Sequence, residues 1–217
     1  MSRRTARSAL LATALLALPS ALLLTLVVIE WSPLLALDGD IARATHRWAV
    51  RDRGLSRVFR VLTDWVWDPV TMRLLCAGVA VWLVWRRAAW WTGLWLLVTC
   101  AVAAVVQQAV KAGVARPRPV WPDPVDSARF AAFPSGHVMT ATVVCGLLLR
   151  LARESGTRGP RWYGALALAV VSVLGVGLTR VWLGVHWFSD VLGGWLFGAL
   201  VVAVAVLVHE RRSRVRP

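Results

Sequence analysis

The sequence predicts an all-α integral membrane protein, a bundle of six transmembrane helices with an amphipathic helix in its longest outer loop. Of its 217 residues, 58% are hydrophobic and 17% are charged, whereas soluble domains are about 45–50% apolar and about one quarter charged. The mean hydropathy is +0.63. The apolar residues fall into six stretches, most of them long enough to cross a hydrocarbon layer of about 30 Å. This composition excludes disordered and low-complexity chains.

The first span covers residues 9–29, which carry no charge. Arg3, Arg4 and Arg7 precede it, as in a secretory signal peptide, but the apolar region of a signal is usually about 7–15 residues long. We therefore expect an uncleaved span. The other five spans are predicted at 70–85, 88–110, 134–150, 162–180 and 187–208, within one membrane domain at 1–217.

The charges predict the orientation of the bundle. If the N-terminus is cytoplasmic, the cytoplasmic segments hold 13 basic and two acidic residues, and the outer segments hold 12 basic and nine acidic residues. Basic residues favour the cytoplasmic side, so both termini are predicted inside. Most of the net charge of +14 then reflects topology. No basic soluble domain is present to suggest a nucleic-acid partner.

The outer segment 30–69 is the longest connection between spans. Asp40 is a candidate helix cap, and Trp65 and Trp67 are candidate membrane anchors. Apolar residues recur at helical spacing at Ile41, Ala44, Trp48, Leu55, Val58, Phe59 and Leu62. An amphipathic helix in the outer interface and a lid packed on the bundle both fit this pattern.

Polar residues in four spans converge at the outer ends of those spans. Lys111 follows the third span, His137 begins the fourth and Arg180 ends the fifth. His186 and Asp190 stand at the start of the sixth. Ionisable groups in membrane spans are costly and mark functional sites, so this end of the bundle is the candidate site.

Two of these groups suggest a chemistry. His186 and Asp190 are four residues apart, and on a helix they share a face, where the carboxylate fixes the imidazole tautomer and leaves the other nitrogen free to attack. A structural pair that ties down a helix end is the alternative. Ser135, Gly136 and His137 open an apolar run, where a helix start forms either an anion site or an ordinary cap.

Cations complete the pattern. Lys111, Arg118 and Arg180 suit phosphate oxygens, and snorkelling to lipid headgroups is the alternative for each. Arg116 and Arg129 are interpreted as headgroup contacts. A cationic site with two histidines and one carboxylate is equipped for phosphoryl transfer through a covalent phosphohistidine.

The sequence predicts neither a metal nor a cofactor. It has no cluster of Asp and Glu residues for a two-metal site, so a metal-independent route is expected. Cys76, Cys100 and Cys145 lie in apolar runs without a CxxC pattern, and they are interpreted as buried small residues.

Three motifs between residues 111 and 190 resemble those of the type 2 phosphatidic acid phosphatases, the PAP2 or lipid phosphate phosphatase superfamily, which includes vanadium haloperoxidases. The first is Lys, six residues and Arg-Pro, here Lys111 and Arg118-Pro119. The second is PSGH, here residues 134–137. The third is Ser-Arg, five residues, His, three residues and Asp, here Thr179-Arg180, His186 and Asp190. Thr179 departs from the usual serine but retains a hydroxyl.

The resemblance implies a role for each motif residue. His186 attacks phosphorus, Asp190 orients His186, and His137 protonates the leaving oxygen. The remaining motif residues hold the phosphate oxygens: Lys111, Arg118, Ser135, Gly136 and Arg180. The implied activity is hydrolysis of a lipid phosphate such as phosphatidic acid, phosphatidylglycerol phosphate or a polyprenyl pyrophosphate, at the outer side of the cell membrane.

Three other functions fit parts of the pattern. Phosphate transfer to an acceptor other than water, and vanadate-dependent peroxidase chemistry, use the same residues, although the membrane spans argue against the peroxidase. A non-catalytic lipid-binding or lipid-flipping protein is the third, and the filled motif positions argue against it. The sequence leaves the preferred lipid and the oligomeric state open.

Overall fold

The structure is a computed structural model that describes residues 3–213, with side chains described at 10, 11 and 13–211. The described chain is helical throughout its regular structure, without strands. Its α-helices are α1 (Arg3–Val28), α2 (Ser32–Arg51), α3 (Arg53–Val61), α4 (Pro69–Arg87), α5 (Trp90–Val114), α6 (Gly136–Glu154), α7 (Gly159–Trp182) and α8 (Phe188–Ser213). A π-helical segment, Leu62–Val66, joins α3 to α4.

The six long helices α1 and α4–α8 stand where the sequence predicts spans, and the predicted fold class is confirmed. Four segments are long and apolar enough to cross a membrane by themselves: Arg53–Arg87, Trp90–Val114, Gly159–Trp182 and Phe188–Arg211. Helices α1 and α2, bent by 87° at their junction, make a fifth if they are taken as one broken span. The chain is a multi-pass membrane protein.

Helix α6 occupies the centre of the bundle and contacts α4, α5, α7 and α8. Its buried side chains include Val138, Ala141, Val144 and Leu147. Because α5 ends where α6 begins, and α7 ends where α8 begins, four helix termini meet at one end of the bundle. We call this end, which holds residues 111–137 and 180–190, the site end.

Segment 30–69 differs from the sequence prediction in three details. Helix α2 begins at Ser32, with Pro33 in its first turn, so Asp40 is not a cap; it lies inside the helix and pairs with Arg43 at 2.6 Å. Trp67 is buried and packs against Gly175, so its predicted role as a membrane anchor is wrong. Trp65, by contrast, is 73% exposed.

The buried stripe of α2 is also shifted by about one residue from the predicted one, although Ile41 is partly buried and packs on the core. The buried stripe consists of Leu34, Asp38, Ala42, His46 and Ala49, whereas Trp48 and Val58 of the predicted stripe are exposed. This stripe packs on α7 and α8 at the site end. The packing favours the lid among the two alternatives for this segment.

The orientation of the bundle in the membrane stays a prediction. The side chains of Arg3, Arg4 and Arg7, and those of Arg212, Arg214 and Arg216, lie outside the described residues.

Candidate active site

A cavity of about 310 Å³ opens at the site end and contains most of the predicted site residues. Its lining is Pro69, Arg73, Gln107, Gln108, Lys111, Arg118, Ala128, Arg129, Phe130, Gly136, His137, Arg180 and His186. Ser135 and Asp190 are fully buried beside it. We call it the site cavity. Residues as far apart in the sequence as Pro69 and His186 are thus brought to one place.

His186 is held by Asp190. The imidazole Nδ1 lies 3.2 Å from Asp190 Oδ2, and the backbone N–H of Trp187 donates to the same oxygen at 2.9 Å. Both side chains are almost completely buried. The carboxylate is therefore fixed at the start of α8, and it holds the ring from behind.

A turn at Gly184 places His186 after the end of α7. Gly184 has a φ of +70°, and a Cβ built there would lie 2.7 Å from Nε1 of Trp121. The indole N–H of Trp121 donates to the Gly184 carbonyl at 3.0 Å. Only glycine combines the left-handed conformation with this close approach, so the turn is specified at that position.

The other imidazole nitrogen faces Arg118. Arg118 Nη1 lies 3.1 Å from His186 Nε2, and because a guanidinium has only donors, Nε2 is the acceptor. The ring proton therefore stands on Nδ1, and the Nδ1–H group donates a hydrogen bond to Asp190. Burial lowers the pKa of His186 well below its ordinary value of 6.5, and the positive charges of Arg118, Arg180 and Lys111 lower it further. The ring is neutral, with the Nε2 lone pair directed toward the site cavity.

Backbone carbonyls orient Arg118, in loop 115–135, and Lys111, at the end of α5. Arg118 donates to the carbonyls of Val185 at 2.5 Å, Phe130 at 2.9 Å and Arg129 at 3.1 Å. Lys111, in the last turn of α5, is buried and donates to the carbonyl of Ala131. Neutral carbonyls orient both groups without an ion pair, so their charges stay available to an anion.

The remaining motif residues carry unused hydrogen-bonding capacity. Ser135 stands at the N-cap position of α6, but its side chain caps nothing, so the ordinary-cap alternative is wrong for this hydroxyl. Its buried Oγ and the buried Nε of Arg180 have no hydrogen-bond partner among the described residues. Buried polar groups are normally paired, so both fit an anion in the cavity.

Backbone contacts place the start of α6 close to α8 and α5. The Ser135 N–H donates to the backbone carbonyl of Asp190 at 3.0 Å, which fastens the start of α6 to the start of α8. At Gly136, a Cβ would lie 2.7 Å from Nε2 of Gln107. The missing side chain lets α5 and α6 approach closely beside His137.

Arg116 is the residue that the sequence interpretation misplaced. It is buried, not in contact with lipid headgroups, and its guanidinium lies 2.8 Å from Asp190 Oδ1 and 2.8 Å from Asp38 Oδ2. It also donates to Ser189 Oγ at 2.7 Å. Arg129, by contrast, is exposed at the cavity mouth.

Asp38 and Ser189 complete a buried network that sequence reasoning missed. Asp38 accepts from the Ser189 N–H at 2.8 Å and from the Ser189 hydroxyl at 2.5 Å. The signal in the sequence was weak but real: Asp38 and His46 are ionisable residues at helical spacing with Leu34 and Ala42. Asp38, Arg116 and Ser189 thus connect the lid helix α2 to Asp190. Asp190 is the residue that holds His186.

Thr63 was also missed. Its hydroxyl lies 3.3 Å from Nη1 of Arg180, and Thr63 stands in the π-helical segment that precedes α4. Single π-helical turns often occur at functional sites. Thr179, where the motif usually has serine, turns its hydroxyl to the Val176 carbonyl of its own helix at 2.8 Å.

The described residues include no group of three or more His, Cys, Asp or Glu side chains placed to hold a metal ion. The three cysteines are free; Cys76 and Cys100 approach to 3.6 Å between α4 and α5. Metal independence stays a prediction.

The fold and the site together define a helical membrane protein with a histidine, carboxylate and cation cluster at one end of its bundle. Residues 92–214 match the family model described as PAP2 superfamily. This match covers more than half of the chain and includes all three motifs. The chain belongs to the PAP2 superfamily.

Individual relatives agree with this assignment. The chain is 33% identical over 168 residues to a decaprenylphosphoryl-5-phosphoribose phosphatase of Mycobacterium tuberculosis, covering 76% of this chain and 82% of that protein. It is 27% identical over 156 residues to an undecaprenyl-diphosphatase of Sulfolobus acidocaldarius, covering 68% and 65%. It is 32% identical over 130 residues to phosphatidylglycerophosphatase B of Bacillus subtilis, covering 58% and 62%. The matches to the latter two therefore span slightly less than two thirds of those proteins.

A solved structure shares the fold. The crystal structure of a transmembrane PAP2-type phosphatidylglycerolphosphate phosphatase from Bacillus subtilis superposes with a TM-score of 0.82 at 25% identity. The match covers 94% of this chain and 98% of that one.

Proposed function

We propose that this protein is an integral-membrane lipid phosphatase that releases phosphate through a phosphohistidine intermediate. The observation that carries the proposal is the arrangement of His186, whose Nδ1 is engaged by Asp190 while its neutral Nε2 is directed at a cavity lined by cations. A buried neutral imidazole beside several cations is arranged for attack on a phosphate and is poorly arranged for structural pairing alone.

The first step forms the covalent intermediate. The substrate phosphate displaces Arg118 from His186 Nε2 and is held by Lys111, Arg118 and Arg180, with Ser135 and the start of α6 as further donors. Nε2 attacks phosphorus, the bond from phosphorus to the lipid oxygen breaks, and His137 gives its proton to that oxygen. The imidazolium that forms keeps its Nδ1 proton and donates a hydrogen bond from Nδ1–H to Asp190. The negative charge of Asp190 stabilises the imidazolium.

The second step releases phosphate. Water attacks the phosphorus of phospho-His186, and His137, now neutral, accepts a proton from that water. The bond from phosphorus to Nε2 breaks, which returns the neutral His186 and the protonated His137. The cations stabilise the charge that develops on the phosphate oxygens in both transition states. No metal enters this scheme.

The chemistry of the substrate is suggested by the relatives. The names of the three relatives given above each describe a lipid with two phosphate groups: a diphosphate, a phosphatidylglycerophosphate and a phosphoryl-phosphoribose. We propose a lipid phosphate of this kind as substrate, bound from the membrane. We further propose that the site end lies at the outer face, with both termini in the cytoplasm.

The test uses the purified full-length protein in detergent micelles. Wild-type protein is incubated with a lipid carrying a ³²P-labelled terminal phosphate, and both released phosphate and acid-labile, base-stable label on the protein are measured. His186→Ala is expected to lose both. His137→Ala is expected to slow release of the lipid and to form the phosphoenzyme only slowly.

Two outcomes would overturn the proposal. Retained phosphate release by His186→Ala excludes the phosphohistidine route. A requirement for added Mg²⁺, or loss of activity with a chelator, contradicts the metal-independent scheme. His209→Ala, which alters a histidine at the opposite end of the bundle, is the matched control and is expected to retain activity.

A further inference from the structure

The site cavity holds more positive charge than one phosphate group requires. Five cations line it: Arg73, Lys111, Arg118, Arg129 and Arg180. No carboxylate is among its lining residues. A phosphate monoester carries at most two negative charges. Carboxylates outside the lining also act on the motif cations, Asp190 on Lys111 and Arg118, and Asp126 on Arg180. A substrate with a single phosphate therefore leaves at least one lining cation, Arg73, without an anionic partner.

Arg73 and Arg129 are the two lining cations that the three motifs do not contain, and Arg73 is the more buried of the two. Arg73 lies one turn inside α4, a position from which a long side chain could snorkel to the membrane interface. Instead it turns inward, and its Nη2 lies 3.3 Å from the Thr140 hydroxyl on α6. It forms no ion pair among the described residues. The next two residues along α4, Leu74 and Leu75, are the ones exposed on the outer surface of the bundle.

A polar layer surrounds Arg73. Thr140 follows His137 by three residues on α6, and Gln107 precedes Lys111 by four on α5. Each therefore lies about one helical turn, about 4.5 Å for Thr140 and about 6 Å for Gln107, further into the bundle than its motif partner. Gln107 is buried and lines the site cavity together with Arg73. The cavity thus has two layers of polar groups, one at the motif residues and one a turn deeper.

We propose that Arg73, with Thr140 and Gln107, forms a second phosphate subsite for the phosphate on the lipid side of the scissile one. The substrate class is a lipid with two phosphate groups, joined by a bridging oxygen or by a short polyol. The terminal phosphate lies at His186, and the inner phosphate lies against Arg73, between the motif layer and the apolar interior. This inference rests on the proposed function and assigns a specificity to the same site.

The geometry favours Arg73 over Arg129 for this role. Arg129 is exposed on the loop at the cavity mouth, and its backbone already accepts from Arg118. Arg73 is half-buried, lines the site cavity, and is fixed by a neutral hydroxyl. An arginine without an acidic partner in a membrane span is costly unless an anion or water accompanies it.

The experiment compares matched lipids. Steady-state kinetics are measured with phosphatidylglycerol phosphate and phosphatidic acid that carry the same acyl chains, and with a polyprenyl diphosphate and the corresponding monophosphate. Arg73→Gln is expected to raise KM for the two-phosphate lipids about 10- to 100-fold, the loss of a charge-assisted contact. KM for the one-phosphate lipids is expected to change less than about threefold, within ordinary context effects for a group that does not touch the substrate.

Two further variants separate specificity from folding. Arg73→Lys keeps the charge and is expected to recover part of the lost affinity. Thr140→Val removes only the hydroxyl beside Arg73 and is expected to raise KM for two-phosphate lipids about 2- to 10-fold. Arg86→Gln, at the other end of the same helix, is the control and is expected to match the wild-type protein.

A binding measurement gives a readout without turnover. Inhibition by inorganic pyrophosphate is expected to weaken in Arg73→Gln, while inhibition by orthophosphate is expected to stay as in the wild-type protein. An equal effect of Arg73→Gln on both lipid classes, or a wild-type protein that does not prefer two-phosphate lipids, overturns the subsite. Absence of phosphate release from every lipid in the wild-type protein overturns the proposed function itself.

Discussion

Arg116 joins Asp190 to Asp38: its Nη1 lies 2.8 Å from one oxygen of Asp190, and its Nη2 lies 2.8 Å from one oxygen of Asp38. All three side chains are at most 8% exposed. Asp190 thus divides its oxygens between Arg116 and His186. The lid helix α2 is therefore part of the support of the site and not only a cover over it.

The first prediction concerns this network. Arg116→Ala leaves two buried carboxylates without their cation, and breaking a buried ion pair costs about 3–5 kcal/mol. We expect a lower thermal unfolding temperature in detergent and a kcat reduced on the order of 100-fold through misplacement of His186. KM is expected to change little, because Arg116 does not line the site cavity.

Arg116→Lys and Asp38→Asn are the informative companions. Lysine retains the charge but not the fork that reaches both acids, so partial recovery of kcat is expected. Asp38→Asn keeps the shape of the side chain and removes one of the two charges around Arg116. Wild-type kcat in Arg116→Ala, with unchanged unfolding temperature, would contradict the network.

The second prediction concerns pH. Since burial and neighbouring cations lower the pKa of His186, the nucleophile stays neutral well below pH 6.5, and the acid limb of kcat/KM is expected there. Removal of a positive neighbour makes the imidazolium less unfavourable and raises this pKa. Arg118→Gln is therefore expected to move the acid limb to higher pH, in addition to its weaker phosphate binding.

The full pH profile of kcat/KM, measured with one lipid substrate for both proteins, checks this prediction. Arg57→Gln, which removes an exposed arginine of α3, provides the control and is expected to leave the profile in place. A shift of the acid limb of Arg118→Gln to lower pH would contradict the predicted rise in the pKa of His186.

The third prediction concerns the turn that carries His186. Gly184→Ala places a Cβ at a φ of +70° and 2.7 Å from the Trp121 indole. Such backbone strain costs about 1–3 kcal/mol, and we expect a lower unfolding temperature together with reduced activity. Gly164→Ala is the matched control in α7, where a Cβ meets open space; it is expected to be neutral or slightly stabilising. Equal unfolding temperatures for the two variants would show that the turn does not require glycine at position 184.

The fourth prediction concerns the orientation of Arg180. Thr63→Val removes its hydroxyl partner at 3.3 Å, and the net value of one hydrogen bond corresponds to an increase in KM of about 2- to 10-fold. Thr142→Val is the control, because the Thr142 hydroxyl bonds only to the Val138 carbonyl of its own helix. Initial rates over a range of lipid phosphate concentrations provide the measurement. Identical KM values for both variants would show that Thr63 does not orient Arg180 for substrate binding.

The sequence by itself determined the fold class, the six long helices and most of the residues that we propose to carry the chemistry. Apolar runs have a length set by the membrane, and a lysine, histidines and an aspartate at the ends of such runs are conspicuous because charge is costly there. The spacing of His186 and Asp190 and the position of Ser135 before a helix are local features. Local helical spacing therefore predicts most of the proposed site residues.

Only the tertiary structure decided which other residues belong to that site. Arg116, Asp38 and Ser189 come from three separate segments, and their distances depend on how α2 folds back on α8 after the 87° bend. Arg73 on α4 meets Thr140 on α6 only because the two helices pack together. Local sequence patterns identify the face that a helix can bury, but the partner that covers this face is a non-local choice. For that reason the phase of α2 was predicted wrongly, and the network behind His186 was found only in three dimensions.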